Sequence, residues 1–270
     1  MKAIISHDID HITAGEHIFR DLIVPKFMVR SQIEWLSGKI SGGEYFGRWG
    51  ELFGNKWNNL QELVAFNRAA GITSSFFIGV EKGTGLNYSL EAATVIIRQL
   101  QESSCELGLH GIRFENKEVI AHEQKLFAEI SGLQSFGVRM HYVRMNENTL
   151  SNMNEASFTY DSSVSEMKNP YKVGNMWEFP IQVMDSWIME NGKSWQSRTL
   201  EQAREATIRI IDEAEAKHLD YLSIDFHDRY FSSRFSTWMN WYTWLVEYLE
   251  QRSIKCVTFG NAMAELEQRA

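Results

Sequence analysis

The 270-residue chain is poor in proline, with three, and in cysteine, with two. With so few helix breakers and no long polar linker there is no seam at which to divide it, and one domain over residues 1–270 is expected. Cys105 and Cys256 lie far apart in strand-like apolar segments. They read as buried thiols rather than as a disulfide, which suits a reducing, cytoplasmic compartment. No run of about 18 apolar residues is present, which excludes an ordinary membrane-spanning helix. At the N-terminus Ser6, His7 and Asp8 interrupt the apolar stretch that a signal segment requires. Positive charge is scarce too. The formal charge is −8 and the basic residues are scattered, so nucleic acid and anionic membrane surfaces are excluded as partners by charge. A small neutral or cationic substrate, or a glycan, fits better.

What the chain has is apolar mass, 44% hydrophobic and 13% aromatic residues, enough for a substantial core. Apolar runs alternate with amphipathic stretches seven or eight times without an internal repeat. The apolar runs end near Ile9, Val80, His110, Tyr142, Ser163, Ile181, His227 and Val257. A helical pattern over 16–37 is interrupted by Pro25, and Thr199 with Gln202 spells a capping box for a helix running to Ala214. This alternation predicts a parallel α/β sheet, most simply a (β/α) barrel. Residues 38–54 hold six glycines interleaved with Tyr45, Phe46, Trp49 and Phe53, with Trp57 following. They read either as a shaped loop whose rings stack on a sugar face or as a surface loop plugging the core.

The densest chemistry is at the start, in Ser6-His7-Asp8-Ile9-Asp10-His11, where two carboxylates follow a short apolar strand. In an extended chain Asp8 and Asp10 point the same way. Asp8, Asp10, His110, Arg139, His141, Asp185 and His227 all fall at the C-terminal ends of expected strands, where the loops of such a barrel meet at one mouth. An Asp and a His from different strands are ligands for a divalent metal such as zinc at about 2.0 to 2.2 Å. A second Asp can accept a proton from water, and a His on the other wall can give one to a departing amine. That set of groups suits amide hydrolysis. His17, His122 and His218, in helical segments, read as surface or capping residues.

Taken together, Ser6-His7-Asp8-Ile9-Asp10, Glu106-Leu107-Gly108-Leu109-His110-Gly111, Gly137-Val138-Arg139, Tyr160-Asp161-Ser162-Ser163 and the apolar strand ending in His227 resemble the ordered motifs of the polysaccharide deacetylase family. This is the NodB-homology group, carbohydrate esterase family 4, and the branch resembled has an H-D-[IV]-D opening associated with surface-polysaccharide (O-antigen-like) biosynthesis. The resemblance implies a single-domain, distorted (β/α)7 barrel and metal-dependent removal of acetyl from an N-acetylated sugar or glycan. It also implies roles: Asp8 as base, Asp10 and His110 as metal ligands, Arg139 as the partner that orients the base, and His227 as acid. Asp185, in Val183-Met184-Asp185-Ser186-Trp187, matches more loosely the residue that holds that acid.

One departure bears on the metal. Phe114 stands where the second histidine of the family's H-x-x-x-H motif is expected, and phenylalanine cannot ligate. His141, in the place of the second proline of the R-x-P-like motif, is a candidate third ligand, as is His11. Without either, zinc, cobalt or nickel is held weakly or not at all. Two rivals follow: a metal-independent, allantoinase-like amidohydrolase, and a non-catalytic glycan-binding protein on the same scaffold.

Overall fold

The structure is a computed structural model and describes residues 1–17 and 21–269. Its strands are β1 (Lys2–Ile9), β2 (Ser75–Ile78), β3 (Glu106–Gly111), β4 (Val138–Met140), β5 (Tyr160–Asp161), β6 (Tyr171–Val173), β7 (Met176–Glu178), β8 (Ile181–Met184), β9 (Tyr221–Asp225) and β10 (Cys256–Val257). Its helices are α1 (Ile23–Leu36), α2 (Gly42–Gly54), α3 (Leu60–Ala69), α4 (Leu90–Glu102), α5 (Lys117–Ser131), α6 (Thr149–Glu155), α7 (Asp185–Glu190), α8 (Leu200–Ala216), α9 (Ser236–Gln251) and α10 (Phe259–Glu267). Among the described residues, no helix is long and apolar enough to cross a membrane.

The strands form one curled sheet in the order β6-β7-β5-β4-β3-β2-β1-β9-β8, with β10 also pairing with β1. All pairings are parallel except the β6–β7 hairpin. The ring does not close as a ladder. From the stretch after β5 to β8 runs a backbone hydrogen bond, Ile181 N–H to Val164 C=O at 2.8 Å. This is the distorted barrel that the motifs imply.

β1 is covered on both faces, and Ala3 through Ile9 are all buried, as expected of a central parallel strand. Its alternation separates two environments. Ile4 faces the barrel interior with Phe77, Tyr160, Phe179, Tyr221 and Phe259, an aromatic plug completed from below by α10. The carboxylate of Glu106 accepts from the Phe259 and Gly260 N–H groups at 2.9 and 2.7 Å, which fixes that helix under the barrel. The interior is narrow. A Cβ on Gly137 would come within 2.2 Å of the Tyr160 ring, so only glycine lets β4 approach there. The outward residues, Ala3, Ile5 and Ile9, join the larger core beneath the helices.

Three sequence expectations change. Residues 42–54 are not a loop but the helix α2, nucleated by a capping box in which Ser41 accepts from Glu44 N–H while the Glu44 carboxylate accepts from Ser41 N–H. Its rings buttress α1 from outside, with Tyr45 stacked on Trp35 at 4.8 Å, so they do not roof a site. Gly47 allows the close approach of the Arg234 side chain, which a Cβ would meet at 2.5 Å. Pro25 does not interrupt a helix. It falls in the first turn of α1, where the N–H it lacks has no intrahelical partner to lose; residues 18–20 of that expected pattern lie outside the described residues. Cys105 and Cys256 are free, as read, but only half-buried. The capping box at Thr199 and Gln202 is present as predicted.

Asp161 and Glu178 form a buried carboxyl pair between β5 and β7. Burial first, then the Asp161 charge, push Glu178 well above the usual carboxyl range. A group held protonated only in the folded state costs nothing below its unfolded pKa and progressively more stability as pH rises above it. Glu178→Gln, an uncharged mimic of the acid, is therefore expected to raise the melting temperature at pH 8 by a few degrees. The gain should vanish near pH 4; thermal unfolding at both values reads it, and equal gains at both would refute the assignment.

Candidate active site

The site grows from Arg139, which lies in the barrel interior with its guanidinium 4.4 Å from the Phe77 ring centroid. Register places it there: β4 sets Arg139 beside His110 of β3, and β1 sets Ser6 beside Asp225 of β9. Arg139 Nη1 donates to Asp8 Oδ1 at 3.0 Å, Asp225 Oδ1 at 2.7 Å and Ser6 Oγ at 2.8 Å. Nε and Nη2 donate to the carbonyl and hydroxyl of Ser162. All of these groups are buried. Burial opposes the guanidinium charge, but Asp8 and Asp225 outweigh it and raise its pKa further. One cation faces two carboxylates, and Asp225 bears the imbalance: burial and then the neighbouring Asp8 push it up to about 7.

Above Arg139, Asp10, His110 and His141 converge. His110 Nδ1 donates to the Arg139 carbonyl at 3.1 Å, and His141 Nε2 donates to the Thr84 carbonyl at 3.0 Å. These bonds assign the tautomers and leave the lone pairs of His110 Nε2 and His141 Nδ1 facing each other at 3.0 Å. Both nitrogens lie beside the same oxygen, Asp10 Oδ1, at 3.1 and 3.2 Å. Burial would raise the Asp10 pKa, but His141 and His110 outweigh it and hold the carboxyl well below its usual range. Two imidazole acceptors and one carboxylate aimed at a common point are a donor set for zinc, cobalt or nickel, with backbone carbonyls orienting both rings from behind. His141 is aimed by strained backbone: Tyr142 and the β-branched Val143 that follow it both have left-handed φ, 58° and 48°.

On the other wall, the carboxylate of Asp185, at the start of α7, accepts from both the backbone N–H of His227 at 2.7 Å and its Nδ1–H at 2.8 Å. His227 Nε2 then faces Asp10 Oδ2 at 3.6 Å. Burial opposes protonation of His227, but Asp185 and Asp225 prevail and hold its pKa well above the ordinary imidazole value. Asp8, Asp225 and His227 form a second cluster of metal-binding residue types, but the Arg139 guanidinium already neutralises it.

All seven residues singled out from the sequence thus lie together, and Asp8, Asp10, His110, His141 and His227 border one cavity of about 790 Å³. Other readings change. Phe114 does not border the cavity; it packs on the core near the Arg144 guanidinium. The loop that carries it is tied down by the Glu123 carboxylate, which accepts from Ile112 N–H at 3.0 Å and Arg113 N–H at 2.7 Å. His11 borders the cavity but turns its Nδ1 to His17 Nε2 at 2.9 Å, away from the three-ligand cluster. His17, expected at the surface, is fully buried between His11 and Asp21. His7 points away from the site: its Nδ1 donates to the Phe226 carbonyl at 2.7 Å, and burial lowers its pKa to about 3. Asp225 was not singled out from the sequence. Its signal was there, since an Asp two residues before His227 on one strand shares that residue's side of the sheet.

A scan against protein-family models finds no match, and a comparison with the curated proteins finds none either. Solved structures do match. One described as a polysaccharide deacetylase from Pseudomonas aeruginosa PAO1 superposes with a TM-score of 0.61 at 13% identity, over 99% of this chain and 90% of that one. Another so described, from Mycobacterium smegmatis, gives 0.60 at 13% identity, over 96% and 93%. The Puue allantoinase gives 0.59 at 13% identity, over 96% and 87%. The curled sheet, its helices and the mouth at which the seven residues meet are therefore built on the polysaccharide deacetylase fold, which that allantoinase shares.

Proposed function

We propose that this protein is a hydrolase that removes acetyl from an N-acetylated sugar or glycan, with a divalent metal held by Asp10, His110 and His141. The observation that carries the reading is the convergence of Asp10 Oδ1, His110 Nε2 and His141 Nδ1 on one point, with the Asp8 carboxylate on one side and the His227 imidazole on the other. His141 makes good the ligand missing at Phe114, and this favours the metal-dependent reading over the metal-free amidohydrolase. A metal bound there supplies Lewis acidity at the amide carbonyl and a lowered pKa for water.

The chain's own groups supply the rest. Asp8 takes a proton from the attacking water through its Oδ2, because its Oδ1 is held by Arg139. Arg139 fixes the orientation of Asp8. His227, protonated and oriented by Asp185, donates from Nε2 to the amide nitrogen as the C–N bond breaks, leaving acetate and a free amine. The retention of both groups on opposite walls weighs against a purely glycan-binding role. A compartment with surface-polysaccharide assembly suits this chemistry, and the resemblance in the first motif points to it.

Three tests follow. Asp8→Asn is expected to lower acetate release from N-acetylated sugars by about 10² to 10⁴-fold, with circular dichroism unchanged; full activity would refute the base assignment. His141→Ala is expected to lose metal that the wild type retains through dialysis, as Asp10→Asn and His110→Ala are, while Phe114→Ala keeps it; elemental analysis decides. Asp185→Asn removes the anion that favours the imidazolium, so the alkaline limb of the kcat/KM profile should move to lower pH. A profile that only scales down, without moving, would remove Asp185 from that role.

A further inference from the structure

The cavity continues well beyond the groups that the hydrolysis uses, and its character changes as it does. Its inner end is made of carboxylates and imidazoles, whereas the wall leading out is apolar. α1 lays Pro25, Val29 and Ile33 along it, with Leu22 just ahead of the helix, and Trp187 and Trp195 come from the stretch after β8. Polar groups sit around this wall too: Lys26, Ser186 and Ser194 line the cavity, and Arg30 Nη2 and Arg229 Nη2 have no hydrogen-bond partner among the described residues, although Arg30 is otherwise committed. Arg30 pairs with Glu190 at 2.8 Å and with the buried Glu34 at 3.0 Å. Glu34 also pairs with Arg48 and accepts from Gln196 N–H at 2.6 Å, so α1, α2 and the segment carrying Trp195 are pinned to one another.

A glycan lying along the stripe of Leu22, Pro25, Val29 and Ile33 would press its hydroxyls against side chains that offer no hydrogen bond, and each such burial costs free energy. A hydrocarbon chain incurs no such cost. The wall moreover does not stop at the mouth: Leu22 is 65% exposed and Val29 61%, large apolar side chains left to water at the lip. Leu36 and Phe53 are exposed elsewhere, but Leu22 and Val29 rim the reactive cleft, where the surface of a ligand can cover them.

We propose that the substrate is an amphiphile. Its amide-bearing sugar head reaches Asp10, His110 and His141, and a hydrocarbon chain attached to that head lies along α1 between Leu22 and Ile33 and against Trp187 and Trp195. This deepens the deacetylase reading and rests on it. The chain can be joined to the head as the aglycone, with acetyl the group removed, or as the N-acyl group, where the same hydrolysis releases a longer acid in place of acetate; the two are chemically the same to the wall.

The experiment uses zinc-loaded protein and two substrate series kept below their micelle concentrations: methyl, butyl, octyl and dodecyl N-acetylglucosaminides, and methyl glucosaminides with N-acetyl, N-butanoyl and N-octanoyl groups. In one series kcat/KM is expected to rise roughly two- to fourfold for each methylene that meets the wall. Val29→Glu, at an exposed position, should collapse the difference between the long and the short members. The series that rises identifies the point of attachment; flat values in both overturn the proposal while leaving the deacetylase reading intact. If no member is hydrolysed, that reading fails. The wall is then judged by calorimetry with octyl glucoside, which has no amide: binding absent with methyl glucoside and lost in Val29→Glu supports the apolar site, and equal weak heats for both glucosides overturn it.

Discussion

The structure depends on a guanidinium placed where no solvent reaches it. Arg139 lies among Asp8, Asp225 and the oxygens of Ser6 and Ser162 and donates to all of them. Removing one partner of such a buried assembly typically costs about 3 to 5 kcal/mol, because the charge left behind keeps its desolvation penalty. Arg139 therefore does two things at once. It ties β1, β4, β9 and the stretch after β5 together across the barrel interior, and it holds the Asp8 carboxylate in one orientation at the mouth. The same carbonyl that closes Arg139 into β4 also orients His110, so the charged interior and the three-ligand cluster share one piece of backbone.

Much of this was legible beforehand, for definite reasons. Strand ends that carry Asp8, Asp10, His110 and His227 on otherwise apolar runs violate burial preference, and burial preference is a local property of the sequence. Parallel strands place those violations at a common end, so the mouth of the barrel follows from counting strands. Arg139 and His141 came from motif order, and the pairing of Asp185 with His227 depended on a match of uneven spacing. What could not be read was three-dimensional. α2 looked like a loop because glycine content outweighed a capping box at Ser41 and Glu44 that was equally present in the sequence. His17 looked exposed because its partners, His11 and Asp21, come together only through a short turn. Asp225 was hidden in the apolar strand that ends at His227, and its importance appears only when Arg139 arrives from another strand.

Phe114 and His141 show how the third donor beside Asp10 and His110 is placed. In the loop after β3, Glu123 has taken hold of the backbone at Ile112 and Arg113, and Phe114 has joined the core. The nitrogen that faces Asp10 comes instead from His141, at the end of β4, on a turn whose two left-handed residues hold it in place. Such local strain is tolerable because the rest of the barrel overdetermines the turn. The two imidazoles are close neighbours in space but lie on different strands, so no short sequence pattern announces them as a pair.

β1 has three neighbours: β9 and β10 near its start, and β2 toward its end. Two of those neighbours lie more than 200 residues away along the chain, at Tyr221–Asp225 and Cys256–Val257. Contacts of such long range form late, because the loop entropy of bringing distant segments together must be overcome before they stabilise anything. The strand that carries Asp8 and leads into Asp10 is thus completed by segments far along the chain. Its apolar run from Ala3 to Ile5 finds its partners only in β9 and β10, so the pocket above it takes shape as the two ends of the chain come together.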